Sequence, residues 1–253
     1  MSNLGQGRLA FNRGGADAIG SGPKEATTTS DGQSDRLLAI AVTTQAAIDR
    51  APLAPVVPIT RFELPVDTET LARFLLGKVL VRELPAGRAT GRIVETEAYL
   101  DNDPASHAFR GMTARNRSMF LDPGHAYVYL CYGISYLLNV SSELRGTGAG
   151  VLLRALEPLS GIEHMRLARG RGRLLDLARG PGRLTAALQV DLRHDGTDLL
   201  SPGPLWIGSD ATSVASIAVS TRIGITKGAE ARLRYFIAGS EYLSGSRRLN
   251  ESH

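Results

Sequence analysis

Apolar residues recur at helical spacing at Leu71, Phe74 and Leu75, with Asp67 placed to cap the start and Gly77 to close the end. Alternation then takes over. It predicts strands at Lys78–Glu83 and Gly91–Tyr99, joined through the turn Pro85-Ala86-Gly87-Arg88. A second strand pair, Ala126–Tyr132 and Tyr136–Ser142, folds around Gly133, and a further strand follows at Gly150–Leu156. Helices are predicted at Ser160–Arg169 and after Gly180-Pro181, where a proline suits the first helical turn. Ile217–Ser220 and Arg232–Ile237 complete the pattern as late strands. Strand pairs mixed with a few helices, without βαβ alternation, predict an α+β fold rather than a doubly wound sheet.

Before Ile59 the pattern is lost. Residues 1–57 are rich in Gly, Ser, Thr and Ala, and their charges cancel, so the net +4 of the chain sits wholly in the remainder. This segment is expected to be a flexible, disordered N-terminal arm with one marginal helix at Asp35–Asp49. It lacks the basic start, apolar stretch and small-residue cleavage pattern of a secretory signal. One domain is expected over residues 58–245, with a C-terminal tail at 246–253.

With 43% apolar and 21% charged residues in 253, a substantial core can form and global disorder is excluded. No apolar run approaches the roughly 18 residues that a membrane span needs, so no membrane partner is expected. The lone Cys131 excludes internal disulfides and Cys-rich metal sites. His107, His125, His164, His194 and His253 show no metal-ligand spacing, so neither a metal nor a cofactor is expected. Lys24, Lys78 and Lys227 are the lysines, so nearly all of the 29 basic residues are arginines. Forked guanidinium contacts suit an acidic polymer, although a GC-rich coding sequence gives the same bias.

Four segments could carry chemistry. On the strand Arg92–Tyr99, alternation sets Glu95, Glu97 and Tyr99 on one face. Two like charges so close call for one carboxylate to work as a general base while the other is ion-paired, unless the face is merely solvated. Arg154 stands in the apolar strand Val151–Pro158 and needs a partner. Pairing with Glu97 would lower that carboxyl's pKa, whereas pairing with Glu95 or Glu157 would be structural. Tyr132, where the hairpin turns, either folds back on its own strands or serves as a wedge between stacked bases. Arg179-Gly180-Pro181-Gly182-Arg183 offers backbone N–H groups and charge to a phosphate, or is a plain loop-to-helix turn.

Taken in order, these segments resemble the 3-methyladenine (alkyladenine) DNA glycosylase family. The strings are Leu71–Lys78, Glu95-Thr96-Glu97-Ala98-Tyr99, Arg115-Asn116-Arg117, Tyr127-Val128-Tyr129, Tyr132-Gly133, Asn139, Val151–Pro158, Arg179–Leu184 and Arg222-Ile223-Gly224. They span about Ile59–Ser244. The resemblance implies a single compact domain with a curved, mainly antiparallel sheet, flanking helices and a protruding β-hairpin. It implies Glu97 as general base and Arg154 as the arginine that holds the attacking water. Tyr99, His107 and Tyr129 would wall the base pocket, Asn139 its floor, and Ile223 would contact the water. Tyr132 would intercalate, and Arg115, Arg117 and Arg183 would meet the DNA backbone.

The implied activity is monofunctional excision of alkylated purines from double-stranded DNA, by a monomer resident in the cytoplasm at the nucleoid. Lysine scarcity agrees, because strand cleavage proceeds through an amine and no motif recruits Lys227. Two rivals remain at this point: an O-glycoside hydrolase using Glu95 and Glu97 as its carboxylate pair, and a non-catalytic DNA-binding module. A helix-hairpin-helix reading of Gly180–Ala186 is opposed by the strand count.

Overall fold

A computed structural model describes residues 55–170 and 172–250. The expected arm, with its helix at Asp35–Asp49, lies outside the described residues except at its last positions.

Nine strands and three α-helices are found among the described residues. They run β1 (Val57–Pro58), α1 (Thr68–Phe74), β2 (Val79–Leu84), β3 (Gly87–Tyr99), β4 (Ala126–Cys131), β5 (Ser135–Ser141) and β6 (Gly150–Ser160). Then follow α2 (Ile162–Ala168), α3 (Pro181–Ala187), β7 (Leu205–Ser209), β8 (Ile217–Ser220) and β9 (Arg234–Ile237). Every strand pairing is antiparallel, in the order β1-β7-β2-β3-β6-β5-β4, and β9 pairs with both β3 and β8. The sheet is curved, and the fold is α+β.

Local chemistry sets most boundaries where the pattern put them. Asp67 caps α1, its carboxylate accepting the Thr70 N–H at 2.8 Å. Gly77 closes that helix with a φ of +84°. The differences have tertiary causes. Ser160 was expected in a helix but pairs with Thr90, so β6 runs on, and Gly161, at φ +68°, makes the break before α2. β7 was not predicted, because its five residues follow the turn-rich string Ser201-Pro202-Gly203-Pro204. At the ends, Val57 pairs with Ser209, and Arg247–Asn250 form a 3-10 turn rather than trailing away.

The core lies against one face of the sheet. Ala98, Val128, Leu138, Val140, Val151 and Leu153 are buried there with Leu71, Leu75, Leu184 and Leu188. Burying each such valine or leucine side chain contributes about 1.5–3 kcal/mol. Thr96 anchors α1 on this face, donating its hydroxyl to the Ala72 carbonyl at 2.9 Å. The alternate residues of the same strands are thereby turned to the opposite face.

Candidate active site

Pairing register builds a row across that opposite face. Glu97 stands beside Leu152, Leu152 beside Asn139, and Asn139 beside Tyr127, on β3, β6, β5 and β4. Cross-strand partners point the same way, and so do residues two apart, which adds Tyr99 and Tyr129. All of them but Glu97 border a cavity of about 830 Å³. Eight of the predicted residues line it: Tyr99, His107, Arg115, Tyr129, Tyr132, Asn139, Arg154 and Ile223. Arg117 and Arg183 do not. Both are exposed, and Arg183 pairs with Asp176 at 3.4 Å.

Arg154 reaches the site through an irregularity that alternation alone does not contain. Glu95 pairs with Ala155 and Thr96 with Leu153, so Arg154 is an extra residue on β6, and Val94 is likewise extra on β3. Such bulges bend a strand and re-aim side chains. The Arg154 guanidinium consequently lies between both carboxylates, with Nε 2.9 Å from Glu95 Oε1 and Nη1 3.1 Å from Glu97 Oε2.

Glu97 has no exposed surface and stands just behind the cavity wall. Its Oε1 accepts the Ile223 N–H at 2.7 Å, and its Oε2 accepts the Tyr99 hydroxyl at 3.0 Å. All three residues that hold it line the cavity. Arg154 does pull the Glu97 pKa down, as expected, but the expected net fall is corrected to a rise. Burial raises it, and Arg154, Ile223 and Tyr99 reverse this only in part.

Glu95 is sealed differently. Its Oε1 accepts Arg154 Nε, Arg234 Nε at 2.7 Å and the Ser244 hydroxyl at 2.7 Å, while Oε2 accepts the Ser244 N–H at 2.5 Å. Burial again favours the neutral form, but two arginines more than offset it, so the Glu95 pKa falls. With its acceptor positions filled and Arg154 interposed, Glu95 is unavailable as the partner carboxylate of an O-glycoside hydrolase.

The ring walls are fixed by their own contacts. His107 Nδ1 and the Tyr127 hydroxyl are 2.9 Å apart, and the His107 ring meets Tyr129 edge-on with centroids 4.4 Å apart. Tyr127 stacks on Tyr129 at 5.3 Å. Burial, with Arg115 nearby, depresses the His107 pKa and keeps the imidazole neutral, while burial pushes the Tyr127 phenol up to about 12. Asn116, itself buried, donates to the His107 carbonyl at 2.9 Å and the Gly111 carbonyl at 3.1 Å, which holds the loop carrying that wall. Asn139 is buried in the cavity lining, donating to the Tyr127 carbonyl at 3.2 Å.

Beside the cavity, β4 and β5 turn through Tyr132 (φ +50°) and Gly133 (φ +70°), and the Ile134 N–H returns to the Cys131 carbonyl at 3.0 Å. A left-handed backbone is uncommon for tyrosine, and it leaves Tyr132 with 91% of its surface exposed instead of folded back. Ile134 is 84% exposed beside it. An apolar finger therefore projects from the mouth of the cavity.

Sequence reasoning missed several supports. Arg222 is buried, holds Asp103 through both Nη atoms, donates to the Ala98 carbonyl at 3.0 Å and lies 4.6 Å over the Tyr99 ring. Arg234 is fully buried under Glu95 and also donates to Asn250 Oδ1 at 2.6 Å and the Leu249 carbonyl at 3.0 Å. An arginine within the apolar string Arg234-Tyr235-Phe236-Ile237 carried the same signal as Arg154.

Residues 62–241 match the model of a family described as methylpurine-DNA glycosylase (MPG). Several proteins named "Putative 3-methyladenine DNA glycosylase" are similar to this chain. The one from Mesorhizobium japonicum is 61% identical over 194 residues, which covers 77% of this chain and 93% of that protein. The one from Paraburkholderia phytofirmans is 52% identical, covering 77% and 92%. The one from Rubrobacter xylanophilus is 48% identical, covering 70% and 92%.

Proposed function

The chain belongs to the methylpurine-DNA glycosylase family, and from that premise we propose that it is a monofunctional glycosylase that removes alkylated purines from double-stranded DNA. The observation that carries this reading is Glu97 just behind the wall of a ring-lined cavity, paired with Arg154 in that wall and close to the exposed Tyr132. A base inside a duplex is out of reach, so the nucleotide has to leave the stack, and Tyr132 takes its place.

The extruded base stacks between Tyr99, His107 and Tyr129. 3-Methyladenine and 7-methylguanine are cationic, and ring faces attract a cation by roughly 0.5–2 kcal/mol each. A neutral His107 keeps a like charge out of the box. Asn139 on the floor disfavours the amino group of guanine.

The glycosidic electron pair leaves with the base, which departs neutral. Water bonds to C1′ and gives its proton to Glu97, which gains access to the water as the Tyr99 hydroxyl moves off Oε2. Arg154 and the Ile223 N–H hold the carboxylate in place, and its charge steadies the oxocarbenium-like sugar. A carboxyl pKa raised by burial suits a base working near neutral pH. Arg115, Arg117 and Arg183 serve the DNA backbone, and the enzyme works as a monomer in the cytoplasm at the nucleoid.

Incubation with methylated duplex DNA, followed by identification of the free bases, tests this. Wild-type protein is expected to release alkylated purines, and Glu97→Gln is expected to bind duplex while losing release by about 10²–10⁴-fold. Undiminished release by Glu97→Gln overturns the mechanism. Duplex binding without any release by wild type favours a non-catalytic module.

A further inference from the structure

Lys227 lines the same cavity. By contrast, Lys78 lies over the Phe74 ring at 4.6 Å, and Lys24 is outside the described residues. Lys227 belongs to a continuous stretch of cavity wall, Ile223 to Lys227, in the connection between β8 and β9. Both ends of this stretch are pinned. The Ile223 N–H sits on Glu97, and Arg222 donates to the Gly228 carbonyl at 3.3 Å while its other contacts hold Asp103 and Ala98.

Between those anchors, the wall presents a run suited to an oxyanion. Gly224 has a φ of +80°, and no atom lies within 4 Å of where a Cβ would stand, so its backbone is open to an approaching group. Thr226 and Lys227 are exposed, offering a hydroxyl and an ammonium. Three cationic side chains border the cavity, and two of them already contact other residues of its wall or of the site behind it. Arg154 is held by two carboxylates, and Arg115 lies 5.5 Å over Tyr129 on the hairpin side. Lys227 has no ion-pair partner among the described residues, and it belongs to the segment that begins at Glu97's own backbone contact.

We propose that Gly224, Thr226 and Lys227 form a cradle for the backbone phosphate of the extruded nucleotide. The proposal rests on the glycosylase reading. C1′ has to lie against Glu97 for hydrolysis, so the phosphates attached to that sugar fall on the Glu97 side of the cavity, where this wall stands. Hydroxyls and amines position a phosphodiester without reading sequence, and a flexible ammonium follows it as the nucleotide swings in.

The test is the salt dependence of binding by the full-length protein. Two duplexes are compared, one carrying a single tetrahydrofuran abasic analogue and the other undamaged. Losing one phosphate contact makes the slope of log K against log salt shallower by about 0.9. Lys227→Gln is expected to show that change with the analogue and not with the undamaged duplex, and Lys227→Arg to restore the slope. An unchanged slope with the analogue overturns the cradle, and so does an equal change on both duplexes. Borohydride trapping on a true abasic duplex supplies a third arm. A covalent adduct lost in Lys227→Gln would make Lys227 an amine nucleophile and overturn its assignment to phosphate. Wild-type release of free bases from methylated DNA is scored separately, and its absence sinks the glycosylase reading itself.

Discussion

Glu95 and Glu97 are two residues apart on the same face of one strand and share the Arg154 guanidinium, yet their carboxyl pKa values are driven in opposite directions. Burial pushes both up. Glu95 has a second arginine and two donors from Ser244, which more than reverse the effect; Glu97 has Arg154 alone for a cation, and Glu95 nearby as a like charge. Environments that separate two carboxyl groups in this way divide their roles. Glu95 is the anchor biased toward the ionised form, and Glu97 is the carboxyl that takes up a proton more readily.

Turnover should therefore fall on the acid side with a midpoint above the ordinary carboxylate range, because Glu97 accepts a proton only when ionised. The Tyr99 hydroxyl donates to Glu97 and lowers its pKa, so Tyr99→Phe keeps the ring and moves that limb to higher pH. The pH dependence of kcat/KM, which reports the free enzyme in which this contact is made, checks the sign. A limb that stays put or moves to lower pH refutes the assignment.

The two glutamates should respond oppositely in stability. Glu95→Gln leaves two buried arginines short of a charge and is expected to cost about 3–5 kcal/mol in denaturant unfolding. Glu97 has a folded pKa above its unfolded one, so its neutral form contributes stability that is complete below the unfolded pKa and is lost as pH rises through the folded value. Glu97→Gln removes that loss. Its stability relative to wild type should increase from acid to neutral pH in thermal melts, and a difference that shrinks would contradict the shift.

Tyr132→Ala should weaken excision from duplex DNA more than release of the same base from a single strand, since only a duplex has a stack to fill. Kinetics on the two substrates decide. Equal losses on both would mean that the exposed ring is no wedge.

Arg222 and Asp103 should act as a unit. Arg222→Lys gives up the double contact that braces Ile223 and Tyr99, and misplaced reacting groups cost up to about 10²-fold in rate. Asp103→Asn should give a loss of the same kind. The double variant should lose about as much as either single one, as expected for residues sharing one network. Full additivity in the rate of base release would show that they act independently.

Much of this site was legible in the chain. Asp67 and Gly77 mark the ends of α1 by local hydrogen bonding, and period-two alternation puts Glu95, Glu97 and Tyr99 on one face, because strand side chains alternate whatever surrounds them. Tyr132-Gly133 announces the turn for the same local reason. A charge in an apolar strand announces that Arg154 needs a partner, but not which one.

The remaining choices were made by tertiary structure. Two bulges, set by how β3 and β6 settle against each other, turned Arg154 toward both glutamates. Arg234 and Ser244 reach Glu95 across 139 and 149 positions of chain, and the Ile223 N–H reaches Glu97 across 126. Periodicity reports which way a side chain points from its own strand; burial and long-range ion pairing, which decide the protonation of a carboxyl group, exist only once distant segments have packed around it.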